Sequence, residues 1–124
     1  CAITAYNGFP STARTDHLPL PEALAVHAEE ANRRRNERFG EAMLERAFVQ
    51  RNTIVFDLII HNAPRTFDVR ASNARLQSLM ERRFCNSKVT PLLKRGAGLV
   101  FRYSTPGGRA LIDGRVDAST CRIA

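Results

Sequence analysis
The hydrophobic pattern of the chain changes at Leu20. Residues 1–19 (CAITAYNGFPSTARTDHLP) scatter Gly8, Pro10, Ser11, Thr12 and Pro19 without helical or strand period, which predicts a tether. Residues 20–124 then read as a single globular domain. Pro21 suits a first helical position, Glu22 suits the positive end of a helix dipole, and Leu24, Ala25, Ala28 and Ala31 follow at helical spacing, predicting a helix over 21–38. Glu29 with Arg33 and Glu30 with Arg34 lie four apart in the favourable acid-first order, so the Arg33 to Arg35 run reads as a solvated face. After Gly40, the stretch Glu41 to Val49 places Met43, Leu44, Ala47 and Phe48 at three-four spacing, predicting a second helix or a bent continuation.

Thr53 to His61 is rich in β-branched residues and apolar on both parities, the pattern of a strand buried on both faces. Asp68 is placed to cap a long helix reaching Phe84, with Val69, Leu76, Leu79, Met80 and Phe84 as its apolar stripe. Val89 to Gly96 predicts a short helix closed by glycine. Leu99 to Ser104 and Arg109 to Val116 flank Thr105-Pro106-Gly107-Gly108, a hairpin signal, with Gly114 a candidate bulge. Val100 and Arg102 point opposite to Leu99, Phe101 and Tyr103. The sum is an α+β fold in which N-terminal helices and a long middle helix pack on a small, mainly antiparallel sheet.

With 124 residues and 44% hydrophobic content the chain can bury a real core, and no apolar run is long enough to span a bilayer. Of 19 basic residues only Lys88 and Lys94 are lysine, and the formal net charge is +7. That skew toward arginine accompanies GC-rich coding sequence, so it is weak evidence of phosphate recognition; the charge draws the chain toward anionic partners without choosing among them.

Cysteine placement changes the picture most. A first-position Cys1 followed by Ala2 is what cleavage of a lipoprotein signal peptide leaves, and a lipid on Cys1 would anchor the chain, with Ala2 compatible with the outer membrane. An amino-terminal nucleophile is a second reading of Cys1, and an arbitrary chain start a third. Cys85 and Cys121 can then pair in an oxidising compartment, closing a loop of about 36 residues and restraining the unfolded chain by roughly 3 to 4 kcal/mol. Such a bond would tie the long helix to the end of the last strand.

Other chemistry is sparse. Arg95 to Arg102 has the outline of an RNA-binding strand signature, but Ala97 and Leu99 stand where two base-stacking aromatics are needed. His61 and Asp57 share a strand face and form a candidate catalytic pair, although no Gly-x-Ser-x-Gly serine accompanies them. His17, His27 and the cysteines lack ligand spacing, so no metal or cofactor is expected. Asn73, Arg75, Gln77 and Arg83 on the long helix, or Phe101 and Tyr103 on the hairpin, are the candidate contact surfaces, the aromatics reading first as core.

From Leu76 to Cys121, a helix ending in Cys85, then Leu92-Leu93 and Gly96, alternating Phe101 and Tyr103, a glycine turn and a terminal Cys121 resemble small bacterial exported proteins and lipoproteins, and more distantly the pilotins, small lipoproteins that escort secretion-channel subunits to the outer membrane. The resemblance implies a periplasmic α+β domain with a disulfide. The expectation is therefore a non-enzymatic lipoprotein on the periplasmic side of the outer membrane, anchored through Cys1, that binds another envelope protein or membrane complex. No nucleic acid or small-molecule substrate is expected. The alternatives are a basic nucleic-acid binder, or a soluble enzyme using Cys1 or His61 with Asp57.

Overall fold
A computed structural model describes residues 14–39, 42–63 and 68–122. Helix α1 (Leu20–Asn32) leads into β1 (Arg38–Phe39), β2 (Ala42–Gln50) and β3 (Thr53–Ile60); α2 (Val69–Phe84) and α3 (Thr90–Lys94) then precede β4 (Gly98–Ser104) and β5 (Ala110–Val116). The strands form one sheet in the order β1-β2-β3-β4-β5. Three of its pairings are antiparallel. β3 and β4 run parallel, and the crossover that parallel neighbours require is supplied by α2 and α3. The α+β architecture expected from the sequence is thus present, as is the bond between Cys85, at the end of α2, and Cys121, beyond β5.

Three sequence expectations need correction. The helix predicted over 41–49 is strand β2. Ala42 and Leu44 point into the core, the ladder slips between Leu44 and Arg46, and Ala47 resumes the inward side. That one-residue bulge spaces the inward positions 2 and 3 apart, which mimics a helical period. The break that the sequence places at Gln50, Arg51 and Asn52 is a hairpin turn to β3, unannounced as such because Arg51 rather than glycine or asparagine takes the positive φ of 57°. The predicted 21–38 helix stops at Asn32. Asn36 adopts a φ of 72° and donates its N–H to the Leu44 carbonyl, turning the chain toward β1. Gly114 is no bulge: it lies in register opposite Phe101, and the slip falls at Tyr103/Ser104.

Gly114 has a different reason. A Cβ there would sit 2.5 Å from Met80 Sδ and 3.1 Å from Leu76 Cγ, so the missing side chain is what lets α2 lie against β5. Asp68 caps α2 as expected, its Oδ1 accepting the Ala71 N–H at 3.0 Å. Between the helices and one face of the sheet lie Leu24, Ile54, Phe56, Leu58, Leu76, Met80, Phe84, Leu99, Phe101 and Tyr103, all at most 1% exposed. Phe101 is the hinge of this core, its ring 4.9 Å from Phe56 and 5.8 Å from Phe84, both edge to face.

Of the tether expected over 1–19, residues 1–13 lie outside the described residues. Residues 14–19 are fastened to the body: buried Thr15 shares a 2.9 Å hydrogen bond with buried His27, and Arg95 donates to the Leu18 carbonyl. Burial holds His27 below its ordinary value of 6.5, against a smaller opposing pull from Glu30.

Two outcomes follow. Gly114→Val should lose about 1–3 kcal/mol in urea denaturation with the slope unchanged, because the core must overpack against Met80. The unfolded chain accepts a proton on His27 that the folded protein resists, so stability declines as pH falls through 6.5. Melting curves from about pH 7.5 to about pH 5.5 should show a steeper loss for the native chain than for His27→Gln.

Candidate functional site
Both long helices cover the same face of the sheet. The core residues of β2, β3 and β4 alternate with a second set that no described element covers: Arg46 and Phe48 on β2, Val55 and Asp57 on β3, Val100 and Arg102 on β4. The register aligns them in two rows. Arg46, Asp57, Arg102 and Asp113 run side by side across four strands, and Phe48, Val55, Val100 and Arg115 form the next row. The strand expected to be buried on both faces is therefore covered by helices on one only. Val55 is buried at 4% exposure because its neighbours on the same face shield it.

The centre of this face is one carboxylate between two guanidiniums. Arg102 grips Asp57 with two bonds, Nε to Oδ1 at 2.7 Å and Nη2 to Oδ2 at 3.0 Å, and Arg46 adds Nε to Oδ2 at 2.9 Å. Burial by itself would raise the Asp57 pKa, but the hydrogen bonds from Arg102 and Arg46 outweigh it and hold the carboxyl below its ordinary value. Both guanidiniums also stand over the Phe48 ring, at 4.6 Å for Arg46 and 5.6 Å for Arg102. Asp57 is recessed at 16% side-chain exposure while Arg46 stays 59% and Arg102 47% exposed. Arg46 spends only Nε on Asp57, so its terminal nitrogens face outward beside an apolar strip. On the Arg102 side, toward β5, a cleft of about 390 Å³ opens, with Glu45, Asp57, Arg102, Ser104 and Asp113 on its walls.

This arrangement can receive a carboxylate and an apolar side chain together. Asp57 answers Arg46 and Arg102 rather than His61, which lies four residues along the strand, roughly 13 Å away. The His61 Nε2 is buried without a hydrogen-bond partner among the described residues. Cys1, the other proposed catalytic residue and the proposed lipid site, lies outside the described residues. Among those described, no group of three His, Cys, Asp or Glu could hold a metal ion, and no helix is long and apolar enough to cross a membrane.

The other candidates resolve plainly. Ala97 and Leu99 are each 1% exposed, so the strand that outlines an RNA-binding signature turns those positions into the core. Phe101 and Tyr103 are core as well. Asn73 and Gln77 turn toward the sheet and serve its edge: Asn73 Oδ1 accepts the Asp113 N–H at 3.0 Å, and Gln77 accepts the Arg115 N–H at 3.0 Å while donating to its carbonyl at 2.6 Å. Arg83 stacks over Phe84. Sequence reasoning passed over Arg46 and Phe48, because reading 41–49 as a helix put them on no common face with Asp57. Strand alternation from Arg46 to Phe48 was the signal available.

Asp57→Asn should cost about 1–2 kcal/mol at neutral pH, since two half-exposed guanidiniums lose a shared charged acceptor. The Asp57 contribution is complete above the ordinary carboxyl value of 3.8 and is lost as pH falls through the lowered one. In chemical denaturation the gap between the two proteins should accordingly close in acid and narrow in high salt.

No protein-family model matches the sequence, and no curated protein is significantly similar to it. Solved structures do share the fold. A Pseudomonas aeruginosa protein classed as secreted superposes with a TM-score of 0.70 at 18% identity, over 83% of this chain and 93% of that one. EpsS, the pilotin of the Vibrio vulnificus type 2 secretion system, gives 0.65 at 19% identity, over 82% and 91%. The type II secretion system pilotin AspS of Vibrio cholerae gives 0.59 at 20% identity, over 82% and 92%. The chain therefore has the fold of these pilotins, as the resemblance in its last third implied.

Proposed function
We propose that this chain is a non-enzymatic accessory of the bacterial cell envelope, an assembly component of a secretion-type complex that binds another envelope protein on the open sheet face. The observation that carries the proposal is the fold shared with two secretion-system pilotins across more than four-fifths of the chain. The open face supports it from chemistry: half-exposed guanidiniums on an aromatic ring, beside an apolar strip, suit a partner segment presenting a carboxylate next to an apolar side chain. The disulfide suits an oxidising compartment. Placement on the periplasmic side of the outer membrane, with acylated Cys1 as anchor and residues 1–19 leading to a domain of residues 20–124, belongs to the same proposal.

The test is co-purification of the native chain from its source membranes, run beside an Arg46→Ser/Phe48→Ser double variant. An envelope protein should accompany the native chain, and its yield should fall at least about tenfold with the variant while Arg35→Ser, in the exposed turn after α1, has no effect. Equal recovery with the double variant would remove the sheet face from the reading, and absence of any envelope protein would remove the accessory role. Intact mass of the same material should exceed the polypeptide by the lipid on Cys1.

A further inference from the structure
Across β2 to β5 the uncovered sheet face is balanced in charge, although the chain as a whole carries +7. Arg46, Arg102 and Arg115 stand there against Glu45, Asp57 and Asp113. The central row reads, strand by strand, Arg46, Asp57, Arg102, Asp113, so its signs alternate. The two middle members are spent on each other, at 2.7 and 3.0 Å. The two ends are not. Arg46 gives only Nε to Asp57, and the Asp113 carboxylate enters no ion pair among the described residues, acting on Arg102 only from beyond ion-pair distance. A cationic and an anionic end with capacity to spare therefore lie on one row, three strand spacings or about 14 Å apart.

We infer that this face pairs with the same face of a second copy of the chain about a twofold axis. With the axis along the strands, between β3 and β4, the row of one copy meets that of the other in reverse order, and an alternating row of four is its own complement. Arg46 then opposes Asp113 of the second copy, twice by symmetry. The next row, Phe48, Val55, Val100 and Arg115, falls on itself in the same way, Val55 across from Val100 and the Phe48 ring across from the Arg115 guanidinium. Rows stacked in the same order would instead set like charges together. The angle of about 30° between packed sheets offsets the row ends by only roughly 4 Å, within reach of an arginine side chain. Glu45 stands one step along the strands and takes no part in the row. A footprint of four short strands puts the pair at or below about 1,200 Å² of buried surface, the class of weak, reversible complexes. The second copy occupies the surface proposed above for an envelope protein, so that protein would displace it. Self-association is read with no other protein present, so its failure leaves the accessory reading untouched.

The experiment sediments the full chain, bearing Cys1→Ser so that no lipid contributes, over a concentration series at low and high salt. A reversible equilibrium between monomer and dimer, weakened by salt, is expected. Arg46→Glu alone and Asp113→Arg alone should each weaken it at least about tenfold, because each sets like charges opposite one another across the axis. Mixed in equal amounts, the two variants should associate with each other at about native strength, since every row end then faces its opposite. Arg46→Glu places a second carboxylate beside Asp57, so its melting is checked first. If it fails to fold, Asp113→Arg beside Asp113→Asn decides the matter, and the charge reversal should cost more than the neutral change. A native chain that stays monomeric up to about 1 mM would overturn the inference and leave the face to a different protein. A dimer indifferent to the substitutions, or folded variants that stay apart when mixed, would overturn it as well.

Discussion
A single carboxylate organises the uncovered side of this protein. A sheet packed by helices on one face leaves the other to water, and here its middle strand is so apolar that Val55 and Ile59 would lie open to solvent. Asp57 answers this by drawing Arg46 and Arg102 across it from both neighbouring strands. Their aliphatic stems and planar heads then roof the Phe48 and Val55 row, so one ionic contact also supplies the cover for an apolar one. Burial opposes the charge on Asp57, and the two arginines more than offset it. The face is consequently a built surface with cationic rims that is neither plainly wet nor plainly apolar.

The sheet edges show the same economy with neutral groups. At one edge Asn32, the last residue of α1, accepts the Ala47 N–H and donates to its carbonyl, both at 2.7 Å, beside the bulge. At the other, Asn73 and Gln77 occupy the outward groups of Asp113 and Arg115. Side-chain amides have the donor and acceptor geometry of a peptide group, so they end the ladder without extending it. An incoming strand would have to displace them and leave buried or half-buried amides unpaired. Partner contact on the broad face, through side chains, carries no such cost.

What the sequence disclosed, and what it hid, divides along a physical line. α2 was legible because Asp68 gives a cap and Leu76, Met80 and Phe84 a clean stripe; the β4–β5 hairpin was legible because Pro106, Gly107 and Gly108 admit few alternatives. β2 was hidden because a bulge at Glu45 shifts strand alternation into helical spacing, and because Arg51 and Asn36 adopt positive φ where glycine would have announced a turn. The candidate site depended on that hidden strand. Asp57 was visible as an odd charge in an apolar run, but its partners could be found only once β2 and β4 were known to flank it. The disulfide was readable from cysteine count, since two thiols remained once Cys1 was set apart.

The disulfide and Gly114 act on the same junction from opposite directions. α2 serves three purposes along its length: its inner stripe fills the core, Asn73 and Gln77 finish the β5 edge, and its outer side exposes Arg75 and Arg82. The first two require the helix to lie against β5 at one height and rotation. Gly114 permits the approach by leaving room for Met80, and the bond from Cys85 to Cys121 holds the carboxyl end of the helix to the chain that leaves β5. A helix rotated by one position would turn Arg75 or Arg82 toward the sheet and take Gln77 off its strand, about 100° away. Fixing that rotation is thus what keeps Arg75 and Arg82 outward, the sheet edge closed and the arginine-lined face on the far side.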